Sequence, residues 1–368
     1  MRSLLVLPLI VTLAGCSSSS ESDQSGGGGS GGSATTGDAA FKAGLTTAMH
    51  DSLLADMDEL LAAATDLQAA APVTPGRGWD ATKDAAAIDA SRKAWIRART
   101  AYEHIEGAVA PIFPDVDFTI DARYDDFMAH LAPNGDADPF DGEGATGLHM
   151  VERVLWADGI PASVVASEKV LPGYVPAAFP ATEAQSTAFR GKLCARIVSD
   201  ATTLRKQWTP ANIDVPAAFQ GLVSVMNEQK EKVNKAAAGE EESRYSQRTL
   251  TDLRANLDGT KKIYALFQPW LLSKTSTDPT RDGKTIDTAI LGQFDTLTTL
   301  YAGVGADALP FPPATWSAEM PSSADLATPF GKLYSGVKTA VDPTLDGSLG
   351  TEMNYAAALL GFPQFTQK

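Results

Sequence analysis

From Phe41 to Leu67 the apolar residues Leu45, Met49, Leu53, Met57, Leu60, Ala64 and Leu67 recur three or four positions apart. That period lines them up on one face of an α-helix and leaves the opposite face polar. Pro72 and Pro75 then end the element, because proline has no amide hydrogen to continue it. The same pattern repeats down the chain. A second helix is predicted from Ala81 or Asp84 to Val109, with Trp95, Tyr102, Ile105 and Val109 apolar or aromatic and Pro111 and Pro114 closing it. Further helices are predicted over Thr146 to Ala157, Glu183 to Gln207, Val223 to Ala236, Arg244 to Phe267, Thr285 to Leu300 and Phe330 to Ala340. A short apolar segment, Leu349 to Phe365, ends the chain. Residues alternating with period two are scarce, so little is available to build a sheet. The predicted fold class is all-α: antiparallel helices joined by prolyl loops, arranged as two packed four-helix-type bundles.

The first residues carry processing information. Met1-Arg2 is basic, Leu4 to Leu13 is apolar, and Leu13-Ala14-Gly15-Cys16 resembles a bacterial lipobox. The apolar run is too short to span a bilayer as a helix. Residues 1–16 are thus expected to be a lipoprotein signal peptide ending at a lipidated Cys16, which would hold the chain to a lipid membrane. Residues 17–37, rich in serine and glycine, read as a flexible tether. The rest divides at a weak seam into a helical bundle over 38–210 and a second over 211–368.

Only Cys194 remains beyond Cys16, so the body has no disulfide and must be held by packing. Within Leu193-Cys194-Ala195 it reads as a buried small hydrophobe. A formal charge of −15 excludes nucleic acid as a partner, since that needs a basic footprint. There is no glycine-rich phosphate loop and no serine-nucleophile elbow.

Chemistry concentrates in three clusters. His149 and Glu152, in Gly147-Leu148-His149-Met150-Val151-Glu152, share a helix face and suit a first-row metal. The alternative is structural: His149 bonded to a carbonyl and Glu152 paired with Arg153 or another base. In the second cluster Tyr102 turns inward with Trp95, which brings Glu106 near the buried face. A carboxylate there needs a partner or a metal. A bland reading puts Glu103 and His104 at the solvent edge, and it is the favoured one for His104. Asp117, Asp121, Arg123, Asp125 and Asp126 form an acidic cluster that reads in part as ordinary solvated surface; alternatively Asp121 and Arg123 pair to orient a ligand. The third cluster places Tyr245, Asp252 and Asn256 as a polar stripe on one helix, with Gly259 marking a close helix approach. Its alternative is a run of ordinary surface Glu–Arg and Arg–Asp pairs.

Together these segments resemble the imelysin-like family. Gly147 to Glu152 is similar to its Gly-x-His-x-x-Glu signature, and the following Arg153, Leu155 and Trp156 bring it nearest the EfeO/EfeM-type iron-uptake lipoproteins. Tyr102 to Glu106, Phe113-Pro114, Ile120 to Arg123, and Tyr245 to Gly259 resemble the accompanying motifs. The resemblance implies two helical bundles with a metal site between helices. It implies His149, Glu152 and Glu106 as metal ligands, and Asp121, Arg123, Tyr245, Asp252 and Asn256 as the surrounding pocket. It assigns no catalytic residue.

The expected function is an exported, lipid-anchored protein on the periplasmic side of a bacterial membrane or at the cell surface. It would bind iron, as Fe2+ or Fe3+, for uptake or delivery, with zinc or another divalent metal as the competing ion. An inner-membrane iron permease is the expected partner. One alternative is a metallopeptidase in which Glu152 or Glu106 is base to a metal-bound water. The other is a structural or adhesion lipoprotein without metal.

Overall fold

A computed structural model of the chain describes residues 34–131, 135–136 and 138–365. The lipobox with Cys16 and nearly all of the tether lie outside the described residues. Helices come in the order α1 (Ala34–Ala70), α2 (Ala85–Glu103), α3 (Glu106–Ile112), α4 (Pro114–Asp121), α5 (Tyr124–His130), α6 (Gly147–Leu155) and α7 (Ala162–Glu168). They continue as α8 (Glu183–Ala188), α9 (Ala195–Gln207), α10 (Val215–Lys235), α11 (Thr249–Leu272) and α12 (Gly283–Val304). The last are α13 (Ser323–Leu326), α14 (Pro329–Val341) and α15 (Leu349–Leu360). A wide π turn, Phe189–Cys194, joins α8 to α9. Among the described residues there is no β-strand, only an isolated bridge between Thr74 and Arg77. No described helix is long and apolar enough to cross a membrane. The fold is therefore all-α, as the periodicity predicts.

The stripe from Leu45 to Leu67 is buried along its whole length and packs on α2, α9 and α11. Helix α3 lies on α10, and α12 lies on α14 and α15. Their buried apolar side chains form one continuous cluster from Leu45 to Phe362. Cys194 is fully buried, and burial pushes its thiol well above the ordinary range.

Four local expectations are corrected. Helix α1 begins at Ala34, inside the predicted tether. Helix α10 begins at Val215 rather than near Val223. There Asp214 accepts the Ala217 amide and Pro216 occupies the first turn, so that proline starts a helix instead of ending one. Helix α11 begins at Thr249, leaving Tyr245 in a preceding turn and off the stripe of Asp252 and Asn256. Finally, the predicted helix to Val109 breaks after Glu103.

That break is built by α11. A continuous helix would spend the Glu103 carbonyl on an amide one turn later; here Asn256 Nδ2 donates to it at 3.1 Å. The His104 carbonyl packs onto Gly259, where an added Cβ would lie 2.2 Å from its oxygen. This is the close approach expected of that glycine. Gly259→Ala should therefore destabilise the protein by about 3 kcal/mol in urea unfolding, because overpacking against backbone outweighs the roughly 1 kcal/mol that alanine gains in helix propensity. A variant more stable than wild type would show that the contact relaxes freely.

Candidate metal centre

His149 sits in the first turn of α6, and its position is set by how that helix starts. Gly147 enters with φ +79°, hard against the Thr119 and Ile120 carbonyls at the end of α4. Trp95 on α2 donates its indole N–H to the Leu148 carbonyl at 2.8 Å. The imidazole is fully buried. Its Nδ1 pairs with Glu152 Oε2 at 3.0 Å, and Glu152 Oε1 accepts the Ser246 amide at 2.8 Å. The turn that aims this amide contains Gln247 at φ +57°, the one non-glycine residue with positive φ among the described residues. Both Glu152 oxygens are thus engaged, and the ring is fixed with Nδ1 as donor.

Nε2 consequently faces the other way, toward Glu242 Oε1 at 3.4 Å and Asp121 Oδ1 at 3.7 Å. It makes no hydrogen bond. A buried ring nitrogen without a partner, aimed between two carboxylates, is costly unless a cation lies among them. Asp121, His149 and Glu242 each offer a ligand atom, and these atoms lie within 4.8 Å of one another. Ligands about 2.1 Å from one ion stand about 3.0 to 3.4 Å apart in octahedral or tetrahedral geometry, so small side-chain adjustments would close the set. The donors fit a first-row metal ion.

Fixed cations already neutralise part of this site. Arg99 on α2 is buried and pairs with Asp121, with Glu103, and with Glu242 Oε1 at 3.2 Å. Lys232 on α10 approaches Glu242 Oε2 at 3.4 Å, Asn256 Oδ1 at 3.4 Å and Glu106 Oε1 at 3.6 Å. Burial alone would raise the Glu242 carboxyl; the cations Lys232 and Arg99 beside it outweigh burial and hold Glu242 well below the usual range. Burial pushes Glu103 the opposite way, well above it, against the pull of Arg99. Asp252 rises to about 6, from burial opposed by Arg99.

The structure thus distributes the predicted site residues as follows. His149, Glu152 and Asp121 come together. Glu106 is placed one step away, accepting from Asn256 Nδ2 at 2.7 Å and facing Lys232. Arg123 pairs with Asp126 at 3.2 Å instead of Asp121, which Arg99 has taken. Asp252 lies 3.8 Å from Arg99 Nε. Tyr245 joins a separate buried group, donating to Glu168, which Arg153 also holds at 3.0 Å. Glu103 is buried, because it pairs with Arg99 one helical turn before it; His104, expected at the solvent edge, keeps a partly exposed side chain.

Sequence reasoning missed Glu242 and Arg99. Arg99 had a usable signal: Trp95, Arg99, Tyr102 and Glu106 are spaced four, three and four apart, which is one helix stripe. Glu242 had none, since Glu240-Glu241-Glu242 reads as solvated acid, yet only Glu240 is exposed.

An acidic cleft of about 380 Å3 leads to the cluster, with Glu106, Asp117, Asp121, Glu228, Lys232 and Glu242 among its walls. Glu231, Lys235 and Asp126 stand at its more exposed rim. Carboxylates outnumber cations along the walls, a field that concentrates positive ions. Burial pushes the Asp117 carboxyl up to about 7, against the Tyr102 hydroxyl that donates to it.

Comparison with known proteins gives a consistent picture. The family model Imelysin (Peptidase_M75) matches residues 35–310. The chain is 26% identical over 182 residues to the iron uptake system component EfeM of Pseudomonas syringae pv. syringae, covering 50% of each protein. It is 30% identical over 184 residues to the iron uptake system component EfeO of Yersinia pseudotuberculosis, covering 49% of this chain and 38% of that protein. The chain thus spans half or less of the length of these relatives. A crystal structure of an imelysin-like protein from Psychrobacter arcticum 273-4 superposes with a TM-score of 0.56 at 14% identity, over 89% of this chain and 98% of that one. That likeness concerns the fold. With the family model spanning most of the chain and the Gly147 to Glu152 signature folded into a buried cluster, this protein belongs to the Imelysin family.

Proposed function

We propose that the protein binds iron at the Asp121–His149–Glu242 cluster and acts outside the cytoplasm in iron uptake or delivery. The observation that carries this is the buried, unpartnered His149 Nε2 facing two carboxylates. Iron as the ion is suggested by the names of the relatives, and one imidazole with two carboxylates is a donor set that accepts it. Iron here is cargo. The acidic cleft would gather it, and the three side chains would hold it. Glu152 would orient the imidazole through Nδ1 and raise its basicity as a ligand. Glu106, Asn256 and Lys232 would set the charge beside Glu242.

The wider assignments belong to the same reading. A lipidated Cys16 would hold the body near a membrane, and an inner-membrane permease would receive the ion. The helices before residue 210 and those after it would act as two bundles, with the site at their seam. Ligands come from both sides of that division: Asp121 and His149 from one, Glu242 from the other.

The test is titration of metal-stripped protein with Fe2+ under anaerobic conditions, with Zn2+ as competitor, followed by calorimetry. Wild type is expected to bind one ion, and Glu242→Gln to bind it at least about tenfold more weakly, through loss of a charged ligand. A wild type that takes up no metal, or a variant that binds as well, would sink the assignment.

A further inference from the structure

Arg99 is the feature that the metal reading leaves unexplained. Its guanidinium sits where a ligated cation's charge would act: it pairs with Asp121 and with Glu242, two of the three candidate ligands. A metal ion entering the cluster would compete with Arg99 for those carboxylates. Leaving a buried guanidinium unpaired would be costly, so Arg99 needs other acceptors. Two stand beside it. Glu103 is already in contact. Asp252 Oδ1 lies 3.8 Å from Arg99 Nε, just beyond hydrogen-bond reach.

The unpartnered atoms point the same way. Arg99 Nε is a buried donor without an acceptor, and Asp252 Oδ2 is a buried acceptor without a donor. Arg99 is 1% exposed and Asp252 2%, so bulk water satisfies neither. Native interiors rarely leave adjacent donors and acceptors unmatched. Closing the 3.8 Å gap between Arg99 Nε and Asp252 Oδ1 by about 1 Å would bring the guanidinium and this carboxylate into hydrogen-bond reach.

We propose that Arg99 is an exchangeable internal counter-ion. In the metal-free protein it neutralises Asp121 and Glu242. When the ion arrives, it transfers to Glu103 and Asp252. This rests on the metal reading above and adds a consequence for selectivity and release. An arriving ion must displace a guanidinium from two carboxylates, which disfavours weakly bound monovalent ions. On release Arg99 returns, so the carboxylates are never left bare. Arginine suits the role because its planar fork can hold several carboxylates at once.

The test is a double-mutant cycle read by calorimetry with Fe2+ alone, on the full chain as it folds. Arg99→Gln removes the competing cation, and iron should bind about tenfold tighter than to wild type. Its metal-free form should melt lower, and iron should raise its melting temperature more than it raises that of wild type. Asp252→Asn removes the destination, and iron should bind about tenfold more weakly. In the double variant the Asp252 effect should disappear, because no guanidinium remains to be rehoused. A simple field effect of Asp252 would persist in the double variant and would overturn the proposal. So would Arg99→Gln binding iron no tighter than wild type. If Arg99→Gln folds only when iron is supplied, the metal has taken over the counter-ion role, as proposed; failure to fold with iron present overturns it. Wild type binding no iron would instead refute the metal site itself.

Discussion

His149→Ala is expected to lower iron affinity at least about a hundredfold, while Glu106→Gln changes it by no more than about threefold. The two residues enter from the same family resemblance as ligands, yet the fold gives them different surroundings. His149 Nε2 has no hydrogen-bond partner and faces Asp121 and Glu242. Glu106 is held by Asn256 and faces Lys232, so its charge is already answered. Truncating His149 removes a ligand and also frees Glu152 from the bond that fixes it. The small cavity left by an imidazole costs about 2 kcal/mol of stability, which circular dichroism and a thermal melt would separate from the loss of binding. Titration of both variants with Fe2+ decides between two ligand sets. Equal losses in His149→Ala and Glu106→Gln would place Glu106 on the ion and require α3 to move toward Glu242.

Much of the fold was legible because burial imposes a period on the sequence. The α1 stripe from Leu45 to Leu67 is buried residue for residue as its spacing predicts. What the period could not show is where a helix breaks for tertiary reasons. Nothing local ends α2 at Glu103; Asn256 and Gly259, about 150 residues later, do so by taking one carbonyl and crowding another. The helix expected from Arg244 starts at Thr249 because the preceding turn is spent on aiming the Ser246 amide at Glu152. Prolines were read as stops, yet Pro114 and Pro216 each lie in the first turn of a helix.

The site was legible to the extent that it lies on one helix. His149 and Glu152 do meet, as positions three apart should. Their partners arrive from α4 and from the turn before α11, and neither shows an apolar period that would mark it as buried. Glu103 illustrates the limit. Its helix face could be read either as solvent edge or as interior, and the deciding fact was the charge on Arg99 one turn earlier. Buried charges follow their partners more than they follow hydrophobic spacing.

Gly147→Ala should produce the largest loss of stability of any single methyl added near the site, about 3 to 5 kcal/mol, or a drop in melting temperature on the order of 10 °C. Two costs combine. The residue holds φ +79°, which a side chain adopts only with strain. An added Cβ would also stand 2.5 Å from the Ile120 carbonyl oxygen and 2.8 Å from that of Thr119, both backbone atoms that cannot rotate aside. Gly305 supplies the comparison, since it has φ +66° but nothing within 4 Å of an added Cβ. Gly305→Ala should therefore show the strain alone, about 1 kcal/mol. The difference between the two variants measures the contact between α4 and α6. That contact also carries the site: Ile120 precedes Asp121, and Gly147 lies two residues before His149. Pushing the two backbones apart would widen the 3.7 Å separation of Asp121 and His149, so the folded fraction of Gly147→Ala should bind iron at least about tenfold more weakly. Equal melting temperatures for Gly147→Ala and Gly305→Ala would mean that α4 yields without cost, and that the spacing of the cluster is not set by this glycine.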